Sequence, residues 1–86
     1  MNENKVIDLV QAEKDRQLNK WGESNYSPYL WHAVLSEEVG EVAQELVNYS
    51  LTNDMQRLKD ARTELIQVAA VAISFVESMD RNELSQ

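Results

Sequence analysis

The chain reads as an all-α protein: three main helices, the second and third forming an antiparallel hairpin, assembled as a helical-bundle homo-oligomer. Three observations predict this. Apolar residues recur at helical spacing, as at Leu35, Val39, Val42 and Leu46. Only two glycines and one proline are present, which leaves little turn material for a many-stranded fold. The run from Leu65 to Val76, LIQVAAVAISFV, has only Gln67 and Ser74 as polar members. Its Leu65, Val68, Ala72 and Phe75 fall on one side of a helical wheel, and Ile66, Ala70 and Ile73 on another. A helix that is apolar nearly all round must be buried nearly all round. Two other helices of one short chain cannot cover it, which predicts a second subunit, as a symmetric dimer or a dimer of dimers.

The first helix is expected over about residues 3–20. Val6, Leu9 and Val10 give it a short apolar stripe, and its charged second half ends at Trp21-Gly22. Lys14, Arg16 and Lys20 in that half read either as an ordinary solvated face or as a cluster facing phosphates. Residues 21–28 form the one clear loop, where Ser27 before Pro28 has the form of an N-cap with proline at the first helical position. Trp21, Tyr26, Tyr29 and Trp31 crowd this region, either as packing under the loop or as a wall on which a base stacks. His32 is read as structural or surface.

The second helix is expected from Pro28 to about Ser50. Gly40 inside it costs roughly 1 kcal/mol relative to alanine, and reads either as a point of close approach for another backbone or a ligand or as a tolerated glycine. Leu51-Thr-Asn-Asp54 supplies the connection, with Asn53 or Asp54 capping the third helix and Gln56 reaching back. The third helix is expected from about Asp54 to Met79, followed by a polar tail from Arg81 that frays. Residues 1–86 thus make one domain.

Composition excludes several classes of function. No cysteine is present, so disulfides, thiolate nucleophiles and zinc sites of cysteine type are ruled out. The lone histidine excludes a two-histidine zinc motif. Fifteen acidic against eight basic residues, a net charge of −7, argue against nucleic-acid binding, which needs a basic surface. No stretch approaches the roughly 18 apolar residues of a membrane span, and the N-terminus does not resemble a signal peptide. A cytoplasmic protein without membrane partners is expected.

The chemistry is expected in two stretches. In Glu37-Glu38-Val39-Gly40-Glu41, helical spacing stacks Glu38, Glu41 and Glu45 in one stripe beside the apolar face, with Glu37 turned toward solvent. Such carboxylates repel one another, so cations or a divalent metal must offset them. In a hairpin centred near Leu51 to Asn53, Glu38 and Glu41 stand as far before the turn as Gln67 and Glu64 stand after it. The two pairs then meet at equal height. Three carboxylates and an amide oxygen form an all-oxygen environment suited to Mg²⁺ or Mn²⁺. The competing reading is a solvated acidic face.

Glu37-Glu38-Val39-Gly40-Glu41, followed after 22 residues by Glu64-Leu-Ile-Gln67, resembles the EExxE…ExxD signature of MazG-like all-α nucleotide pyrophosphohydrolases. The approach from Glu13 to Gly22 and the run Glu64 to Ala72 also look like the short bacterial and phage members. The resemblance spans about residues 10 to 80. It implies a homo-oligomeric, Mg²⁺-dependent hydrolase that splits a nucleoside triphosphate into the monophosphate and pyrophosphate. Glu38, Glu41 and Glu64 match metal-ligand positions, and Glu37 matches the acid that orients or deprotonates the attacking water. Lys14, Arg16, Lys20 and Trp21 fall where the first helix and its end would meet the substrate. Gln67 departs from the signature, standing in place of its aspartate, so the site lacks one negative ligand. Glu45 is a candidate to compensate. The alternative implied by Gln67 is a non-catalytic helical dimer of the same fold that binds metal, nucleotide or a protein partner.

Overall fold

The computed structural model describes residues 3–85, which form three helices: α1 (Glu3–Trp21), α2 (Pro28–Thr52) and α3 (Met55–Asn82). No strand occurs among the described residues. Each boundary has a local cause. Gly22 ends α1 with a φ of 75°, where its N–H donates to the Leu18 carbonyl at 2.8 Å; glycine carries no Cβ to clash in that left-handed region. Ser27 is extended, and its hydroxyl accepts from the Leu30 amide at 3.2 Å, with Pro28 opening α2. At the other end of α2, Asn53 adopts φ 55° and donates its N–H to Tyr49. Asp54 then caps α3 by accepting from the Gln56 amide at 3.0 Å. The Gln56 side chain reaches forward to Asp60 at 2.9 Å, not back toward the cap as expected.

Because Asn53 and Asp54 alone separate them, α2 and α3 turn back on each other, and their packing is the most extensive in the chain. The turn is centred slightly later than the sequence implied. Helix α1 packs on α3 and makes no backbone approach to α2. Ala61, Ala70 and Val71 of α3 and Trp31 and Val42 of α2 form the buried apolar core. Trp31 stacks on Phe75 at 5.8 Å between centroids and 9° between planes, and meets Tyr26 at 5.1 Å and 57°. One aromatic knot therefore joins α2, α3 and the loop.

Of the polar tail expected from Arg81 to Gln86, Arg81 and Asn82 are helical, residues 83–85 follow the helix, and Gln86 lies outside the described residues. Helix α3 continues to Asn82, and both Arg81 and Asn82 bond to the α1–α2 loop. At Gly40 a Cβ meets nothing within 4 Å in this chain, as a tolerated glycine would allow.

One chain covers its apolar surface poorly. Its radius of gyration is 14.6 Å, against about 12 Å for a compact domain of this length. Its accessible surface is 6173 Å², where about 5,200 Å² is typical of a monomer of this mass. Leu58, Leu65, Ile73 and Val76 of α3 are 36–57% exposed. Leu58, Leu65 and Val76 share one stripe of α3, and Ile73 stands one turn before Glu77, which pairs with Lys14 of α1. Val39 and Leu46 of α2 are similarly open. No described helix is long and apolar enough to cross a membrane.

Candidate metal centre

The hairpin brings three acidic side chains together. Glu38 and Glu41 of α2 and Glu64 of α3 each offer a carboxylate oxygen, and these oxygens lie within 4.8 Å of one another. Glu38 and Glu64 are half-buried and Glu41 is exposed. One oxygen of Glu38 and one of Glu64 are shut from solvent without a hydrogen-bond partner. Leaving such an acceptor unpaired costs on the order of 1–3 kcal/mol, and more when it is charged.

The electrostatics follow from this crowding. Burial pushes the Glu64 carboxyl up to about 7; the hydrogen bond with Glu41 and repulsion from Glu41, Glu38 and Glu45 add to it. A protonated Glu64 is what allows two carboxyl groups to share a hydrogen bond. Glu38 is also raised, first by burial, then by the charges of Glu41, Glu13 and Glu37, against a smaller opposing pull from Arg16. In its metal-free form the cluster thus stores mutual repulsion relieved by a proton. Oxygen clusters of this kind are also the ligand type that hard divalent cations take.

Gln67, one turn beyond Glu64, is half-buried and makes no side-chain hydrogen bond among the described residues. It lines a cavity of about 400 Å³ beside Glu38. Glu37 is exposed next to the cluster and acts on Glu38 through its charge. Glu45 stands one turn along the stripe from Glu41, outside the trio, and one of its oxygens lies 3.6 Å from Arg57 Nη1.

Besides Gln67 and Glu38, the cavity is lined by Lys14, Arg16, Trp21 and Arg81. Lys14 Nζ is 2.9 Å from Glu77 Oε1. Arg16 forks onto Glu13 with bonds of 2.9 and 2.7 Å, an arrangement that lowers the Glu13 carboxyl. The cations therefore already hold carboxylate partners. Lys20 falls outside the lining and rests 4.9 Å from the centroid of the Trp21 ring. The aromatics divide as well: Trp31 is a core residue, Trp21 is exposed at the rim, and Tyr29 faces solvent.

Glu13, Glu77 and Arg81 belong to this environment but carried no functional reading in the sequence. A signal did exist for Arg81. Gln67, Ser74 and Arg81 recur every seven residues, so they share a stripe on α3, and all three line the cavity. No protein-family model matches the chain, and no curated protein or solved structure matches it.

Proposed function

We propose that this protein is a short MazG-like pyrophosphohydrolase that converts a nucleoside triphosphate to the monophosphate and pyrophosphate with Mg²⁺, or Mn²⁺ in its place. One observation carries the reading: Glu38, Glu41 and Glu64 come together from two helices, and Glu38 also lines a cavity shared by Lys14, Arg16 and Arg81. Glu38, Glu41 and Glu64 would hold the metal, and Gln67 would offer an amide oxygen. When bound, the metal supplies charge neutralisation for phosphate oxygens. Lys14 and Arg16 orient the phosphates by exchanging a carboxylate partner for a phosphate one. Trp21 at the rim offers a ring face to the base. Glu37, exposed beside the cluster, accepts a proton from the attacking water.

The working form is a homo-oligomer. The surface in excess of a typical monomer is about 1,000 Å², comparable to one partner's share of a standard interface, about 800 Å². The open face of α2 and α3, with Val39, Leu46, Leu65 and Val76, is apolar as such an interface requires. A second reading, a non-catalytic dimer that keeps the site for binding, is favoured by Gln67, because an amide brings no charge to the metal.

The test is pyrophosphate release from a panel of ribo- and deoxynucleoside triphosphates, with Mg²⁺, with Mn²⁺ and with chelator. Metal-dependent release that disappears in Glu38→Gln is the expected result. Silence from folded wild-type protein would reject the enzyme and leave the binding module.

A further inference from the structure

Residues 22–27 are the only covalent link between α1 and α2, two helices whose backbones make no close approach. Gly22, Glu23, Ser24 and Tyr26 of this segment line the cavity, so its position sets one wall. What holds it lies at the far end of α3. Arg81 Nη2 donates to Asn25 Oδ1 at 2.9 Å and to the Ser24 carbonyl at 3.2 Å, and Arg81 Nε donates to Asn25 Oδ1 at 3.3 Å. Arg81 Nη1 stands 3.5 Å from Glu23 Oε1. Asn82 Nδ2 donates to the same Asn25 oxygen at 2.9 Å and to Ser78 Oγ at 3.3 Å, and Ser78 is fully buried. The loop is thus bolted through Asn25 to a helix end that is itself anchored in the core. Gly22, with its positive φ, forms the opposite boundary.

We propose that Arg81 is a positioning residue: with Asn82 it latches residues 22–27 onto α3, and the cavity's affinity for its ligand depends on that latch. A planar guanidinium reaching three loop residues fixes both position and orientation, which a single point charge would not do. Asn25 is the keystone, since its one oxygen accepts three of the bonds and it does not itself line the cavity. The latch's bearing on substrate rests on the reading of the cavity as a nucleotide's seat.

The experiment cuts the latch from both sides in the full chain, with Arg81→Met and Asn25→Ala, and repairs it with Asn25→Asp, which keeps an acceptor oxygen. Hydrogen exchange of residues 22–27 is measured first, without ligand. Binding of a non-hydrolysable α,β-methylene nucleoside triphosphate with Mg²⁺ is measured second. Both cuts should speed loop exchange about tenfold while exchange in the centre of α3 stays unchanged. Both should weaken the analogue by a similar factor, roughly five- to tenfold. Asn25→Asp should restore both, and Asn25→Ala should keep kcat at saturation.

Unchanged loop exchange in either cut overturns the latch. Weakened binding in Arg81→Met alone also overturns it, because Arg81 would then contact the ligand directly. If wild-type protein binds no nucleotide, the pyrophosphohydrolase reading fails, and loop exchange still decides whether the latch exists.

Discussion

Replacing Glu64 with glutamine should remove a pH-dependent loss of stability from the metal-free protein. The Glu64 carboxyl titrates at about 7 in the folded chain instead of 4.5, through burial first and then its carboxylate neighbours. An acid with a raised folded-state pKa holds its proton more tightly when folded. Its stabilising contribution is complete below the unfolded value and drains away as pH rises from about 4.5 toward 7, where it levels off. The full shift corresponds to about 3 kcal/mol, at about 1.4 kcal/mol per unit. The window from pH 5 to pH 8 takes in roughly 2 to 3 kcal/mol of that. For a domain of this size, the loss is roughly 10–20 °C in Tm.

The assay is thermal unfolding followed by far-ultraviolet circular dichroism in chelator, at one protein concentration so that any self-association would act on both proteins alike. Glutamine mimics the neutral acid, so wild type and Glu64→Gln should melt together near pH 5. They should separate in favour of the variant as pH rises to 8. Glu38, raised for similar reasons, tilts both curves the same way and largely cancels in the difference. A gap that does not change with pH, or a variant less stable than wild type at pH 8, would refute the buried-cluster account.

Three further outcomes are expected. Glu41→Gln should abolish Mg²⁺-dependent pyrophosphate release while the helical circular dichroism signal is kept; retained turnover would remove Glu41 from the ligand set. Gln67→Asp should tighten Mg²⁺ at least tenfold, about 1.4 kcal/mol, in a calorimetric titration, and unchanged affinity would mean that position 67 does not reach the ion. Val76→Asp, on the open apolar face, should shift sedimentation toward the monomer with α3 still helical, and an unchanged sedimentation coefficient would place the subunit contact elsewhere.

The parts of this fold that were legible in the sequence are those set by near neighbours. Ser27-Pro28 and Asp54 marked helix starts because capping is decided within three residues. The meeting of Glu38, Glu41 and Glu64 was legible because a short connection forces two helices into antiparallel register. Their side chains are long enough to absorb a turn centred slightly later than expected. Arg81 and Asn82 were hidden in a tail that looked polar and loose. Their partner, Asn25, lies 56 and 57 residues away, and no local pattern encodes such a contact. Lys20 stands over its own neighbour, Trp21, while Lys14 and Arg16 of the same helix line the cavity. Gly40 gave a local signal without a partner inside the chain to interpret it.

That the backbone of α1 approaches α3 and not α2 has a consequence for how the molecule forms. The α2–α3 hairpin closes through a two-residue turn, so its first contacts cost little loop entropy and can zip outward from Asn53. Helix α1 makes its backbone approaches to α3, so its docking must close a loop spanning all of α2. The hairpin therefore assembles first and α1 arrives late, which means the carboxylates gather before the cavity beside them has its other wall. In a pulse-labelling refolding experiment, amides of α2 and α3 should gain protection before those of α1.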